Sequence, residues 1–143
     1  MKAGGGDPYD LERFLTAQAS VYAAALAEIR SGCKRTHWMW FVFPQFAGLG
    51  LSATSRHFAL RSVEEARAYL GHLILGARLQ ECAEALLRVE GRSASDVFRY
   101  PDDLKLQSSM TLFELVSPPG SVFSQVLDKY FGGARDATTL RLA

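Results

Sequence analysis

The chain has 143 residues, 48% hydrophobic and 22% charged, with 16 Lys and Arg against 15 Asp and Glu and a formal net charge of +1. That length supports one hydrophobic core and leaves little for a second domain. Basic residues scattered among acids, with no long block of like charge, argue against a duplex nucleic-acid binder. The longest apolar run, Trp38 to Phe43, is far short of a membrane span. Cys33 and Cys82 do not make a disulfide framework in a chain of this kind; they read as reduced thiols of a cytoplasmic protein.

Residues 1–9 contain Gly4-Gly5-Gly6 and no apolar signal core. They read as a disordered leader before a single globular domain over 10–143. Asp10 is placed to cap one long helix, in which Leu11, Phe14, Leu15, Tyr22, Ala25, Leu26 and Ile29 keep the 3.6-residue period. Gln18 interrupts that stripe as a core amide or a ligand contact, and Ser31-Gly32 supplies the stop. The stretch Lys34 to Gln45 follows, holding both tryptophans, two of the nine phenylalanines and one of the three histidines. A run so rich in large rings must lie inside the fold or line a cleft. Its pattern fits either an extended segment or a buried helical turn, and Pro44 should end it by disfavouring a helical Phe43. Gly48 and Gly50 then mark a loop that needs positive φ or close backbone approach.

Further along, Ser62 and Glu65 form a capping box for a short helix closed by Gly71. A longer helix is expected from about Ile74 to Glu90, with Leu75, Leu79, Cys82, Ala83, Leu86 and Leu87 inward. Ser93 or Ser95 can cap one turn through Phe98. Pro101 opens a helix that runs to Val116 and is apolar on most of its circumference, hence buried. Ser121 caps the next helix, to Phe131, and Asp136 starts a last turn. The sum is a mainly α protein: about six or seven helices in one compact domain around the Trp-rich segment.

Chemistry could sit at two places. Around the Trp-rich segment, Lys34, Arg35, His37, Trp38, Trp40 and Gln45 combine aromatic faces with cations, which suits a planar anionic ligand. On the helix after Pro101, Lys105, Ser108 and Ser109 are costly to bury without partners. They open a polar window on a cavity, or else the serines serve close packing. No Cys or carboxylate lies at zinc-ligand spacing from His57 or His72, so no metal is expected, and no cofactor either. Gly48-Leu49-Gly50-Leu51-Ser52-Ala53 matches G-x-G-x-x-A but lacks the strand–turn–helix context of a dinucleotide site. Glu64-Glu65 and Asp102-Asp103 are adjacent pairs, suited to helix N-terminal charge.

The segments Arg13-Phe14, Ala17-Gln18, His37-Trp38-Met39-Trp40-Phe41, Phe43-Pro44-Gln45, Gly48-Leu49-Gly50, and Asp103-Leu104-Lys105-Leu106 running into Ser108-Ser109-Met110-Thr111-Leu112-Phe113 carry a resemblance. Together they resemble an uncharacterised bacterial family whose members are often mislabelled "calpastatin", over nearly the whole chain from Asp10 to Leu140. That resemblance implies no activity. A fainter likeness, in size, helical content and Trp-rich polar pocket, is to the NADAR group of N-glycosidases, which act on ADP-ribose-type or riboflavin-pathway substrates. No residue carries over from that group. The expectation is binding of a phosphorylated, nucleotide-like or ADP-ribose-like small molecule. Trp38 or Trp40 would stack its ring, Lys34, Arg35 or Lys105 would hold phosphate, and His37, Gln45, Ser108 and Ser109 would orient it. Were the chemistry glycosidic, a carboxylate would have to stabilise an oxocarbenium-like centre; Asp103 and Glu81 are the candidates. The alternative is a non-catalytic interaction domain whose aromatic cluster is core.

Overall fold

The 3.6-residue period at the N-terminus is realised as two helices, α1 (Glu12–Gln18) and α2 (Tyr22–Arg30), instead of one. The structure, a computed structural model, describes residues 6–143. The first five residues of the expected leader lie outside the described residues. Asp7 already belongs to the fold: its carboxylate accepts the Leu11 and Glu12 N–H groups, each at 2.8 Å, and so caps α1. Asp10, the expected cap, instead sits at φ +52°. The break at Ala19–Val21 has no Gly or Pro to announce it. Tertiary contacts make it: Gln18 is buried and donates to the Phe41 carbonyl at 2.7 Å and the Tyr69 hydroxyl at 3.0 Å, while accepting from Arg78 at 3.2 Å. Gln18 is therefore a satisfied core amide.

Eight further helices follow among the described residues: α3 (Met39–Val42), α4 (Ala53–Phe58), α5 (Val63–Gly71), α6 (Leu75–Arg88), α7 (Ala94–Phe98), α8 (Asp102–Leu115), α9 (Val122–Phe131) and α10 (Ala137–Leu142). Ten helices among the described residues stand against the expected six or seven because α1 and α2 separate, the Trp-rich segment contributes a turn, and α4 gave no periodic signal. Serine caps recur at these starts. Ser52, Ser62, Ser93 and Ser121 each accept the N–H three residues on, and Ser93 with Asp96 completes a capping box. Each such cap contributes about 1 kcal/mol. No strand forms among the described residues; Phe46 and Leu60 make an isolated parallel bridge, with Ala47 N–H on the Leu60 carbonyl at 2.8 Å.

The core is one continuous cluster crossed by a file of rings: Phe58, Phe14, Tyr69, Phe113 and Phe123, with successive centroids 4.9–5.8 Å apart. Helix α8 runs through its middle, packed by α5, α7, α9 and α10. Leu106, Met110, Leu112 and Phe113 are buried as a helix apolar all round requires, whereas Leu104 and Leu115 are exposed and do not point inward. A second tie is Arg13, buried on α1. Its guanidinium donates to the carbonyls of Tyr9, Asp10, His57 and Ala59 and to Glu65 Oε2 at 2.7 Å. One side chain thus fixes the chain between α4 and α5 against the N-terminus.

The Trp-rich segment is a single helical turn, α3. Phe43 leaves helical geometry at φ −123°, ψ 74°, as the following Pro44 demands. The segment is held from below by Glu28 of α2. Its Oε1 accepts from Arg35 N–H at 2.8 Å, Thr36 N–H at 3.0 Å and the Trp38 indole N–H at 2.9 Å; its Oε2 accepts from the Thr36 hydroxyl at 2.7 Å. Burial pushes the Glu28 carboxyl up, but the donors from Arg35, Thr36 and Trp38 outweigh it and hold it down to about 2.

A carboxyl held at about 2 when folded, against ~4.3 unfolded, stabilises fully above its unfolded pKa and loses that contribution as pH falls towards 2. The displacement corresponds to about 3 kcal/mol at pH 7. Glu28→Gln keeps the length and one acceptor but loses the charge. It should be about 2–3 kcal/mol less stable at pH 7 and should lose less stability than wild type between pH 5 and 2. Urea denaturation over that range measures both; a variant as stable as wild type at pH 7 would remove Glu28 as the anchor.

Candidate functional site

Trp38 is the cap residue of α3, at φ −139°, ψ 5°, and Trp40 lies in its helical turn, so the two side chains leave the backbone in different directions. The geometry separates their roles. Trp38 is 1% exposed, bonded to Glu28 and packed on Phe43 and Phe98 with centroids at 6.2 and 6.3 Å. It is core. Trp40 is half-buried and stands, with Gln45 and Gly50, where two recesses meet.

The larger recess, about 370 Å³, is walled by Phe46, Ala47, Leu51, Phe58 and Ala59, with Ser55, Arg56 and Arg61 at its polar edge. The loop over 45–50, α4 and the stretch leading to α5 build it, joined by the Phe46–Leu60 bridge. Gly50 is required here: a Cβ on it would come within 2.6 Å of the Ser55 Cβ and Oγ. Gly48 turns the loop at φ +98°. The smaller recess, about 220 Å³, is lined by Leu49, Pro101, Leu104, Lys105, Ser108, Asp136 and Thr138.

Lys105 Nζ stands 3.9 Å from the Trp40 ring centroid and 3.1 Å from Asp102 Oδ1. Lys34 Nζ, its side chain only 8% exposed, lies 2.9 Å from Asp102 Oδ2 and 5.1 Å from the Trp38 ring centroid. Asp102 therefore bridges both lysines. Burial pushes its carboxyl up, while the two ammonium groups outweigh that and leave it below the usual carboxylate range. Ser108 donates to the Leu104 carbonyl and to Asp136 Oδ2, each at 3.1 Å. That Asp136 oxygen also accepts the Thr139 N–H and hydroxyl, so it caps α10. It is a carboxylate held in place by three donors.

Of the residues expected from sequence, Trp40, Gln45, Lys105 and Ser108 come together in this cleft, with Lys34 one ion pair behind it. The others do not join them. Arg35 and His37 are exposed and line neither recess, and Trp38 lies in the core. Ser109 is fully buried, and its hydroxyl has no partner among the described residues. Asp103 sits in the first turn of α8 with its Oδ1 accepting the Leu104 N–H at 2.9 Å. Glu81, on α6, accepts from the Tyr22 hydroxyl and lies 3.9 Å from Arg30. Neither Asp103 nor Glu81 lines the cleft. Sequence reasoning missed Arg56, Arg61, Phe46 and Phe58. The available signal was Ser52, whose cap opens the helix that carries Arg56 and Phe58.

Across the chain, residues 8–143 match the family model described as "Protein of unknown function (DUF1810)". The chain belongs to the DUF1810 family. This DUF1810 chain is also similar to a solved structure, the conserved hypothetical protein Rv1873 from Mycobacterium tuberculosis. The two are 51% identical with a TM-score of 0.93, over 95% of this chain and 97% of that one. No curated protein matches. The expected membership of an uncharacterised family therefore stands. Among the described residues of the DUF1810 chain, no helix is long and apolar enough to cross a membrane. Nor do three His, Cys, Asp or Glu residues group so as to hold a metal ion there. Both cysteines are free, and burial pushes the Cys82 thiol up to about 12.

The two lysines have unequal dependence on Asp102. Asp102→Asn leaves Lys34 buried without its counter-ion and should cost about 2–4 kcal/mol, whereas Lys105→Met keeps its packing on Trp40 and should cost less than about 1 kcal/mol. Paired chemical denaturation of the two variants at neutral pH checks the order. The reverse order would mean that the site is anchored through Lys105.

Proposed function

We propose that this protein binds a planar, anionic small molecule of nucleotide-like or ADP-ribose-like chemistry in the Trp40 cleft. The observation that carries the reading is a pair of guanidinium groups, Arg56 and Arg61, at the edge of an apolar recess that opens beside the Trp40 indole. Both are exposed, and neither side chain has a hydrogen-bond or ion-pair partner among the described residues. The structural cations do otherwise: Lys34 and Lys105 share Asp102, and Arg13 is saturated by carbonyls and Glu65. Arginine presents a planar fork that meets phosphate or carboxylate through two parallel N–H bonds. Phe46, Phe58 and Trp40 give a flat apolar body its contact area, and about 370 Å³ is within the range of small-molecule sites. Phosphate would thus rest on Arg56 and Arg61, with Gln45 at the junction as a donor or acceptor.

The cleft supports binding ahead of glycosidic hydrolysis. Its lining carboxylate, Asp136, is the cap of α10, and the two carboxylates expected to act on a glycosidic centre lie outside it. A second reading, an interaction domain, draws on the apolar side chains at the rim: Leu51 is 85% exposed and Leu104 48%.

A thermal-shift screen with adenosine monophosphate and ADP-ribose separates the two readings. A ligand at a hundred times its Kd adds about 2.7 kcal/mol to the native state, which a melting curve detects. Wild type should shift, and Arg56→Gln/Arg61→Gln should need about tenfold or more ligand for the same shift while its unliganded melting temperature stays put. Equal shifts in both proteins would move the ligand elsewhere. No shift in wild type across the screen would favour the interaction domain.

A further inference from the structure

Away from the Trp40 cleft, α2 and α6 pack side by side and end together, with Arg30 the last residue of one and Arg88 the last of the other. Between and beyond these ends lies an open hollow of about 510 Å³, lined also by Arg35, Arg92 and a carboxylate, Glu90. Four guanidinium groups thus surround one concavity against a single lining acid. Among the described residues, no aromatic side chain lines it.

The ordinary role for cations at helix C-termini is to offset the carbonyl ends. Here that role is largely taken by other groups. Lys129, reaching across from α9, donates to the carbonyls of Leu86 at 3.1 Å, Leu87 at 2.8 Å and also Val89, and the Tyr130 hydroxyl donates to Leu86 at 2.6 Å. The end of α2 closes through its own backbone, with Ser31, Gly32 and Cys33 N–H groups on the carbonyls of Ala27, Ile29 and Glu28. The arginines are left lightly engaged. Arg88 has no partner among the described residues, Arg35 reaches the Ser31 hydroxyl at 3.4 Å, and Arg30 approaches Glu81 no closer than 3.9 Å. Arg92 is the fixed member, its Nε donating to the Gly32 carbonyl at 3.1 Å.

We infer that this hollow is a second anion site, one that takes an oligophosphate group. Several closely spaced charges are the match for guanidinium forks held around one depression, because each arginine can pair bidentately with a different phosphate. A single orthophosphate engages too few of them. With no ring to stack on, the site reads charge alone, so inorganic tripolyphosphate and the triphosphate of a nucleotide are equivalent there. This site is independent of the Trp40 cleft, which requires an aromatic ligand body.

The test is isothermal titration calorimetry of the full chain with inorganic tripolyphosphate, orthophosphate and a nucleoside triphosphate, at low ionic strength and without divalent metal. Three double variants, each of exposed residues and each removing two charges, accompany wild type: Arg30→Gln/Arg88→Gln, Arg56→Gln/Arg61→Gln, and Arg67→Gln/Arg141→Gln as a control for net charge. Tripolyphosphate should bind wild type about tenfold or more tighter than orthophosphate. The Arg30/Arg88 pair should weaken it by about tenfold or more, and the other two pairs by less than about twofold. In the Arg56/Arg61 variant, the nucleoside triphosphate should bind with the affinity of tripolyphosphate. No binding of tripolyphosphate to wild type overturns the inference. So does an equal loss in the Arg67/Arg141 control, which would reduce it to net charge, or a loss confined to the Arg56/Arg61 pair, which would place the anion in the Trp40 cleft.

Discussion

A buried carboxylate, Glu28, holds the segment on which the rest of the structure depends. An ionised group out of water is tolerated only when its lone pairs are met, and four donors converge on this one. All four belong to the loop before α3 or to its cap residue. The anchor therefore sets where α3 starts, and the start fixes the angular position of each aromatic side chain that follows. Trp38 is drawn down to the carboxylate. Trp40, two residues on, is turned to the cleft by the same geometry.

Charge is handled differently at the core and at the clefts. Inside, each cation has a designated partner: Arg13 with Glu65 and four carbonyls, Lys34 with Asp102. Those contacts join segments far apart in sequence and make the fold specific. At the edges of the two depressions, Arg56, Arg61 and Arg88 stand without a side-chain partner among the described residues. The contrast is internal to one molecule, and it is why the edge arginines, and not the lysines near the tryptophans, are read as ligand contacts.

Hydroxyls on α8 divide in the same way. Thr111 donates to the Gln107 carbonyl and accepts the Asp136 N–H, and Ser108 donates to the Asp136 carboxylate, so both tie the C-terminal turn to the central helix. Ser109, fully buried, does no comparable work and fits the close-packing role of a small residue. A row of polar residues on a buried helix was thus mostly scaffold.

The mainly helical class, most helix starts and the end of the Trp-rich segment were determined by sequence, because caps, periodicity and the Pro44 stop act within a few residues of themselves. Ser62, Ser93, Ser121 and Asp136 all cap where local pattern put them. Other features were decided only by tertiary structure. The α1–α2 break rests on Gln18 meeting Phe41 and Tyr69, far along the chain, and the N-terminal cap rests on Asp7 at a chain reversal. Which tryptophan faces the cleft depends on Glu28. That Lys34 and Lys105 share Asp102, while Arg56 and Arg61 are left unpaired, depends on which helices lie beside them. Residue types and short spacings specify what a segment can do; long-range packing selects the partner, and a side chain's role follows from its partner.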